Sequence, residues 1–453
     1  MSAILIKDAT VLTMCGGSDD VVRGDLLIRD QVIEAVGAAV TAEQGAEIVD
    51  GRKFIVIPGL VNAHMHTWQT ALRSVAANWT LPEYLKWVHA GLATHFRPSD
   101  IHIGTLVGAL NQIDNGTTTL VDWCHNNPTP DHTNAAVAAL RRAGIRAMFM
   151  HGSPKPDPKP GQPPFWEVPH PREEVIRLRE VLAPNAGMIS LGLAILGPHY
   201  STLDVTLKDF KLAQEFGLIA SMHQGGGAPR SPDGWQRLEA EGLLNRFVNV
   251  VHGNDLSDAQ LQRFVARDVR FTVAPESEMI CGHGHPIIGR LRNLGVSPSL
   301  GSDVETSHSS DMLNSARIAL SYQRSLDNLE AKRRGEFGGK ARLRARDALA
   351  WVTIEGARMR GQEDRIGSIA LGKQADLVLL RADALNMQPI HDPISAVVLQ
   401  ANPSNIDSVM IAGKWRKRQG KLIAEDLKPL IEELAESGRR ICRDVGLKAD
   451  DLT

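Results

Sequence analysis

His64-Met65-His66 sets two imidazoles two residues apart at the end of an apolar run, FIVIPGLVNA. Residues i and i+2 of a strand share a face, so both rings would point to one place. Three later apolar runs end in the same residue types. GLIASMHQ reaches His223, FVNVVHGN reaches His252, and SPSLGSDVE reaches Asp303. One such ending is ordinarily a hydrogen-bonded core residue. Several buried strands finishing in His or Asp are not what core packing asks for, and a shared metal ion is the economical explanation. Imidazoles with one carboxylate suit zinc first, with iron, manganese or cobalt also compatible. An ion with an open position lowers the pKa of a bound water to about 7. Asp303 could take the proton of that water, and His252 could hydrogen-bond the hydroxide or a developing anion.

These residues meet only if their strands lie side by side. Eight apolar runs stop at polar or histidine-bearing residues: FIVIPGLVNAHMH, TTTLVDWCHN, IRAMFMHGS, MISLGLAILGPHY, GLIASMHQGGG, FVNVVHGN, VRFTVAPESE and SPSLGSDVE. Helical patterns such as HTNAAVAALRRAG separate them. Near-continuous apolar runs suit parallel strands buried on both faces. The expectation is an α/β chain with a (β/α)8 TIM barrel over residues 58–365, its active site at the C-terminal mouth. Residues 1–57 and 366–424 are rich in short strands and turns, and are expected to meet as one smaller β-sandwich domain. Residues 425–453 carry a charged amphipathic helix, read as a packed surface helix or an oligomer contact. A proline-crowded stretch, GSPKPDPKPGQPPFWEVPHPR, follows the third barrel strand. It is either a lid carrying Phe165 and Trp166 over the site or a stiffened surface loop.

The 453 residues provide a large core, and the formal net charge of -2 gives no field that would recruit nucleic acid or an acidic membrane. Four dispersed cysteines form no CxxC, which fits a reducing compartment. No signal peptide or transmembrane run is read, so a cytoplasmic enzyme acting on a small molecule is expected.

PGLVNAHMH, followed by MHQ, VHG and GSD on strands five, six and eight, resembles the amidohydrolase superfamily, as does the re-entry segment GSIALGKQADLVLL. Within it the chain is similar to the mononuclear branch of cytosine, guanine and S-adenosylhomocysteine deaminases and triazine hydrolases. TALRS followed by LPEYLKWV matches the stretch after HxH in the adenosylhomocysteine type. The resemblance implies His64, His66, His223 and Asp303 as ligands of one divalent metal, with His252 contacting the hydroxide or leaving group. Strand four (LGLAILGPHY) lacks the lysine that binuclear members carboxylate. It also implies a homo-oligomer, a dimer or larger.

One position departs from the pattern. The branch carries HxxE on strand five, its glutamate protonating a ring nitrogen, whereas this chain reads His223-Gln224-Gly225-Gly226-Gly227. Glu278, in APESEM after strand seven, is the candidate substitute acid, and Glu305 is read as a structural carboxylate. Gln224, His199 at the end of strand four, Trp87 after strand one and Asn127 after strand two are the candidate substrate contacts. Core packing would explain Trp87 equally well, while His125 and Asn127 either contact substrate or cap the loop, with the structural role preferred. His283 and His285 are read as loop hydrogen bonders.

The expected activity is aminohydrolase or deaminase chemistry on a C–N bond of a nitrogen heterocycle. The alternative, which the missing glutamate permits, is hydrolysis of an amide, urea or carbamate bond. A non-catalytic metal-stabilised barrel is disfavoured by the open ligand set with His252 beside it. A phosphate-binding barrel lacks a glycine-rich phosphate loop.

Overall fold

A computed structural model describes residues 3–182, 187–337, 339–424 and 426–448. The chain divides into two compact units. The first comprises Met1–Ala63, Leu110–Leu120 and Asp311–Glu425, the second His64–Ala109, Val121–Ser310 and Asp426–Thr453.

In the first unit both chain ends share one nine-stranded mixed sheet. The join is an antiparallel pairing of Phe54–Pro58 with Leu377–Arg381, in register from Leu377 opposite Pro58 to Arg381 opposite Phe54. Alternation along these strands sends Ile6, Val11, Leu26, Val56, Leu377 and Met410 into a single apolar core. The β texture at both ends thus reflects one domain closed late in the chain.

Eight further strands form a parallel sheet whose spatial order follows the sequence. They are Leu60–Met65, Thr117–Cys124, Arg146–Gly152, Ile189–Ala194, Ala220–Gln224, Val248–His252, Arg270–Val273 and Ser299–Leu300. Every residue of Thr117–Cys124 and Arg146–Gly152 is buried, as continuous apolar runs require when both faces are covered. The ring meets itself where Met65 bridges Asp303: Asp303 N–H donates to His64 O (2.9 Å) and His66 N–H donates to Asp303 O (2.9 Å). This is the (β/α)8 barrel anticipated above.

One apolar run proves to be two strands. FIVIPGLVNAHM, counted as one apolar run although the expected domain boundary falls within it at residue 57, gives Phe54–Pro58 to the mixed sheet and Leu60–Met65 to the barrel. Gly59 is the break. A Cβ there would fall 2.0 Å from Thr118 Oγ1, so only glycine allows the chain this close.

In the second unit the helix Leu427–Val445 buries Leu430, Leu434 and Ile441, and Arg440 pairs with Asp100 at 2.6 Å. It is a packed helix. No helix of the described residues is long and apolar enough to cross a membrane.

Candidate metal and catalytic site

The C-terminal ends of strands one and five, with the turn beyond strand eight, bring four side chains together. His64 Nε2 lies 3.1 Å from Asp303 Oδ1, His66 Nε2 3.2 Å from the same oxygen, and His223 Nε2 3.2 Å from His64 Nε2. One donor atom from each of the four lies within 4.8 Å of the others. Ligands about 2.0–2.1 Å from a tetrahedral ion stand about 3.3 Å apart, so these spacings fit a single zinc-sized centre. Imidazole nitrogens facing each other at such distances make poor hydrogen-bond partners but natural co-ligands.

Protonation agrees with that fit. Burial pulls His64 down to about 4 against the opposing pull of Asp303, and holds His223 well below the ordinary histidine range. Burial would raise Asp303, but hydrogen bonds from His64 and His66 overcome it and hold the carboxyl well below its usual range. His64 and His223 are therefore held neutral and Asp303 ionised, each with a lone pair to offer. His66 Nδ1 donates to the Trp123 carbonyl at 2.6 Å, which fixes the ring with Nε2 toward the cluster. Ser277 Oγ donates to Asp303 Oδ2 at 2.5 Å, tethering the second carboxylate oxygen.

His252 stands next to this cluster. Its Nε2 is 3.9 Å from Asp303 Oδ2, while Nδ1 donates to Glu278 Oε1 at 3.2 Å. Burial would lower the His252 pKa, but Glu278 and the nearby Asp303 and Asp255 charges raise it. His252 and Asp303 both hold left-handed backbone, φ 68° and 63°, a conformation that costs of order 1–3 kcal/mol at a non-glycine residue. Strain of this kind persists only where the surrounding fold over-determines it.

Glu278 is fully buried behind His252, accepting also from Ala274 N–H (2.8 Å) and Asn254 Nδ2 (3.2 Å). It reaches the cavity only through the imidazole. Glu305 is held by Arg73 (3.0 Å) and by Ser310 Oγ (2.5 Å), the structural role read for it. Gly226 has φ 94°, and a Cβ there would lie 2.6 Å from Leu81 Cδ2 and 3.1 Å from Tyr200 Oη. A glutamate at this position would need a different backbone path.

A cavity opens over the cluster, bordered by His66, His223, His252 and Asp303 and walled by Trp79, Leu81 and Tyr84. None of the four expected substrate contacts borders it. Gln224 bridges Asp255 (3.1 Å) and Trp235 Nε1 (2.9 Å), and His199 meets Gln224 Nε2 at 3.3 Å. Asn127 caps its own loop through Cys124 O (2.7 Å), and Trp87 lies behind Trp79 with ring centroids 6.4 Å apart. Phe165 and Trp166 also stay off the cavity, and Arg230 covers Trp166 at 3.6 Å. His283 stacks on the His252 ring at 4.5 Å.

The cavity instead gains Tyr84, His89, Lys155 and Ser277, which sequence reasoning passed over. Lys155 was legible only as part of the proline-crowded segment, whose start, not its aromatic middle, faces the site. Burial pulls its ammonium down to about 8. Tyr84 and His89 lie on the segment after strand one, where a short helical turn capped by Thr80 and Glu83 folds them inward.

The sequence profile of the amidohydrolase family matches residues 55–416. The chain is 27% identical over 453 residues to the 5-methylthioadenosine/S-adenosylhomocysteine deaminase of Acetivibrio thermocellus, covering 96% of this chain and 99% of that one. It is 28% identical over 454 residues to the 8-oxoguanine deaminase of Pseudomonas aeruginosa, covering 95% and 97%. Among solved structures, an adenosine deaminase from Xanthomonas campestris with bound zinc superposes with a TM-score of 0.82 at 25% identity, over 98% of this chain and 99% of the other. A triazine hydrolase variant superposes at 0.85 over 97% and 100%, with 21% identity, a likeness of fold.

Proposed function

The chain belongs to the amidohydrolase family, and from that premise we propose that it removes an amino group from a nitrogen heterocycle by hydrolysis. It is a hydrolase of carbon–nitrogen bonds. The observation that carries the reading is the cluster of His64, His66, His223 and Asp303 beside His252 on one cavity. Its full-length relatives named as deaminases act on adenosine derivatives and 8-oxoguanine.

We infer that His64, His66, His223 and Asp303 hold one divalent ion, zinc in the first instance, as in the zinc-bound relative. When bound, such an ion supplies Lewis acidity and makes hydroxide available near neutral pH. Asp303 takes the proton of the attacking water on Oδ2, the oxygen that Ser277 steadies. His252 turns Nε2 to the cavity and stabilises negative charge developing at the attacked carbon's substituent. Glu278 acts through His252, fixing the ring by accepting its Nδ1 proton. Lys155 and Tyr84, rather than Gln224, His199, Trp87 or Asn127, face the substrate.

Gly226 favours the second reading, hydrolysis of an amide, urea or carbamate bond, because no carboxylic acid stands there to protonate a ring nitrogen. A screen of the metal-loaded protein over amino-heterocycles and N-substituted amides, reading ammonia and amine release together, separates the two. Ammonia from heterocycles supports deamination; substituted amines from amides or ureas alone would overturn it. His64→Ala should lose both stoichiometric metal and turnover. Full activity in metal-depleted His64→Ala protein would remove the metal assignment.

A further inference from the structure

Lys155 lies just beyond the third barrel strand, Arg146–Gly152, and borders the cavity. Its ammonium sits over two aromatic faces, 5.1 Å from the Tyr200 ring centroid and 5.7 Å from that of Trp123. Among the described residues it makes no ion pair and no hydrogen bond to a protein group. Asp303 acts on it across the cavity but forms no ion pair with it, and a lysine so weakly compensated favours a ligand that supplies negative charge.

A second donor on the same lining points the same way. Trp68 Nε1–H donates to His125 Nδ1 at 3.1 Å. An indole nitrogen can only donate, so Nδ1 of His125 must accept and Nε2 must carry the proton. That Nε2–H is buried and has no hydrogen-bond partner. Two features fix the ring in place: it stacks on His66 at 4.3 Å with planes 4° apart, and it meets the His89 ring edge-on at 4.6 Å. A buried donor left without an acceptor is destabilising, so a ligand acceptor is its natural complement.

Asp303 is the only carboxylate among the described residues that border the cavity, and its oxygens already serve the histidine cluster and Ser277. A divalent ion would leave the cavity net positive. Aromatic walls accept a flat ring, but the unmatched donors ask for an anionic oxygen group upon it.

We propose that Lys155 and the His125 Nε2–H form an anion-recognition pair that selects heterocycles carrying a carboxylate. This deepens, and rests on, the reading of the chain as a metal-dependent heterocycle hydrolase. It also assigns the cation a task that a glutamate at position 226 would have opposed: the Tyr200 ring beneath Lys155 carries the hydroxyl that crowds Gly226.

The test uses the metal-loaded full chain and calorimetric binding of two isosteres, 4-aminopyrimidine-5-carboxylate and 4-aminopyrimidine-5-carboxamide. Wild type should bind the carboxylate at least about tenfold more tightly, the value of one charge-assisted hydrogen bond. Lys155→Met keeps the apolar stem and should bring the ratio to about one, and Lys155→Arg should restore part of the preference. Equal affinities in wild type, binding of neither compound, or a preference that survives Lys155→Met would overturn the proposal. Metal content measured on the same samples separates the two readings. Protein that holds its ion but shows no anion preference rejects the recognition pair alone, while protein that holds no ion rejects the hydrolase reading as well.

Discussion

Replacing Glu278 by glutamine tests whether His252 works as an oriented group. In the native site the buried carboxylate accepts from His252 Nδ1 (3.2 Å), Ala274 N–H (2.8 Å) and Asn254 Nδ2 (3.2 Å). Glutamine keeps one acceptor oxygen but removes the charge, and its amide turns a donor toward one of these donors. A hydrogen bond to a charged group contributes about 1.5–3 kcal/mol against about 0.5–1.5 for a neutral one. The imidazole should lose about 1–2 kcal/mol of orientation and charge support, roughly a 5- to 30-fold fall in kcat. Glu278 does not border the cavity, so KM should stay within about twofold. The assay is steady-state turnover of a substrate from the screen, with metal content measured on each preparation. An unchanged kcat would refute the coupling of Glu278 to catalysis. A raised KM at constant kcat would put the residue against the substrate instead, and loss of the ion would assign the effect to the metal cluster.

Two further substitutions test the frame around the site. Gly301→Ala would set a Cβ 2.6 Å from both Cβ and O of His64. It should cost about 1–3 kcal/mol of stability and weaken metal binding, by thermal melting and chelator competition; unaltered metal affinity would show that the His64 backbone can yield. Asp209 is buried, its charge supported by the His170 N–H (2.8 Å) and the nearby Lys208 ammonium, yet burial pushes its pKa up to about 7. Its folded pKa lies above the unfolded value of about 3.9, so the folded state holds the proton more tightly. That contribution is complete below about pH 4 and is lost as pH rises through about 7, up to about 4 kcal/mol in all. Asp209→Asn should therefore gain on wild type in urea midpoint between pH 5 and pH 8, and parallel pH profiles would exclude it.

The ligand-type residues were legible along the chain because a buried parallel strand has no packing reason to end in histidine or aspartate. That signal marked His64, His66, His223, His252 and Asp303, and the strand count set them at one barrel mouth. The β-rich ends were legible as one domain for a similar reason: period-2 alternation shows which face is buried, though not which strand lies beside it. The strand pairing behind the split at Gly59 was hidden, because hydrophobicity does not reveal that Phe54–Pro58 pairs with a strand more than 300 positions later. The substrate wall was hidden too. Gln224, His199 and Asn127 sit next to site residues in sequence, yet their polar groups are taken up by Asp255, Trp235 and backbone carbonyls. His125 was readable as a substrate contact or a loop cap and Lys155 only as part of a proline-crowded loop; what each does is decided in three dimensions. The direction of a loop side chain, and whether a partner waits for it, depends on strands and loops remote in the chain. The local pattern thus determined which residues could bind an ion, and tertiary packing alone decided which donors remain unmatched in the cavity above it.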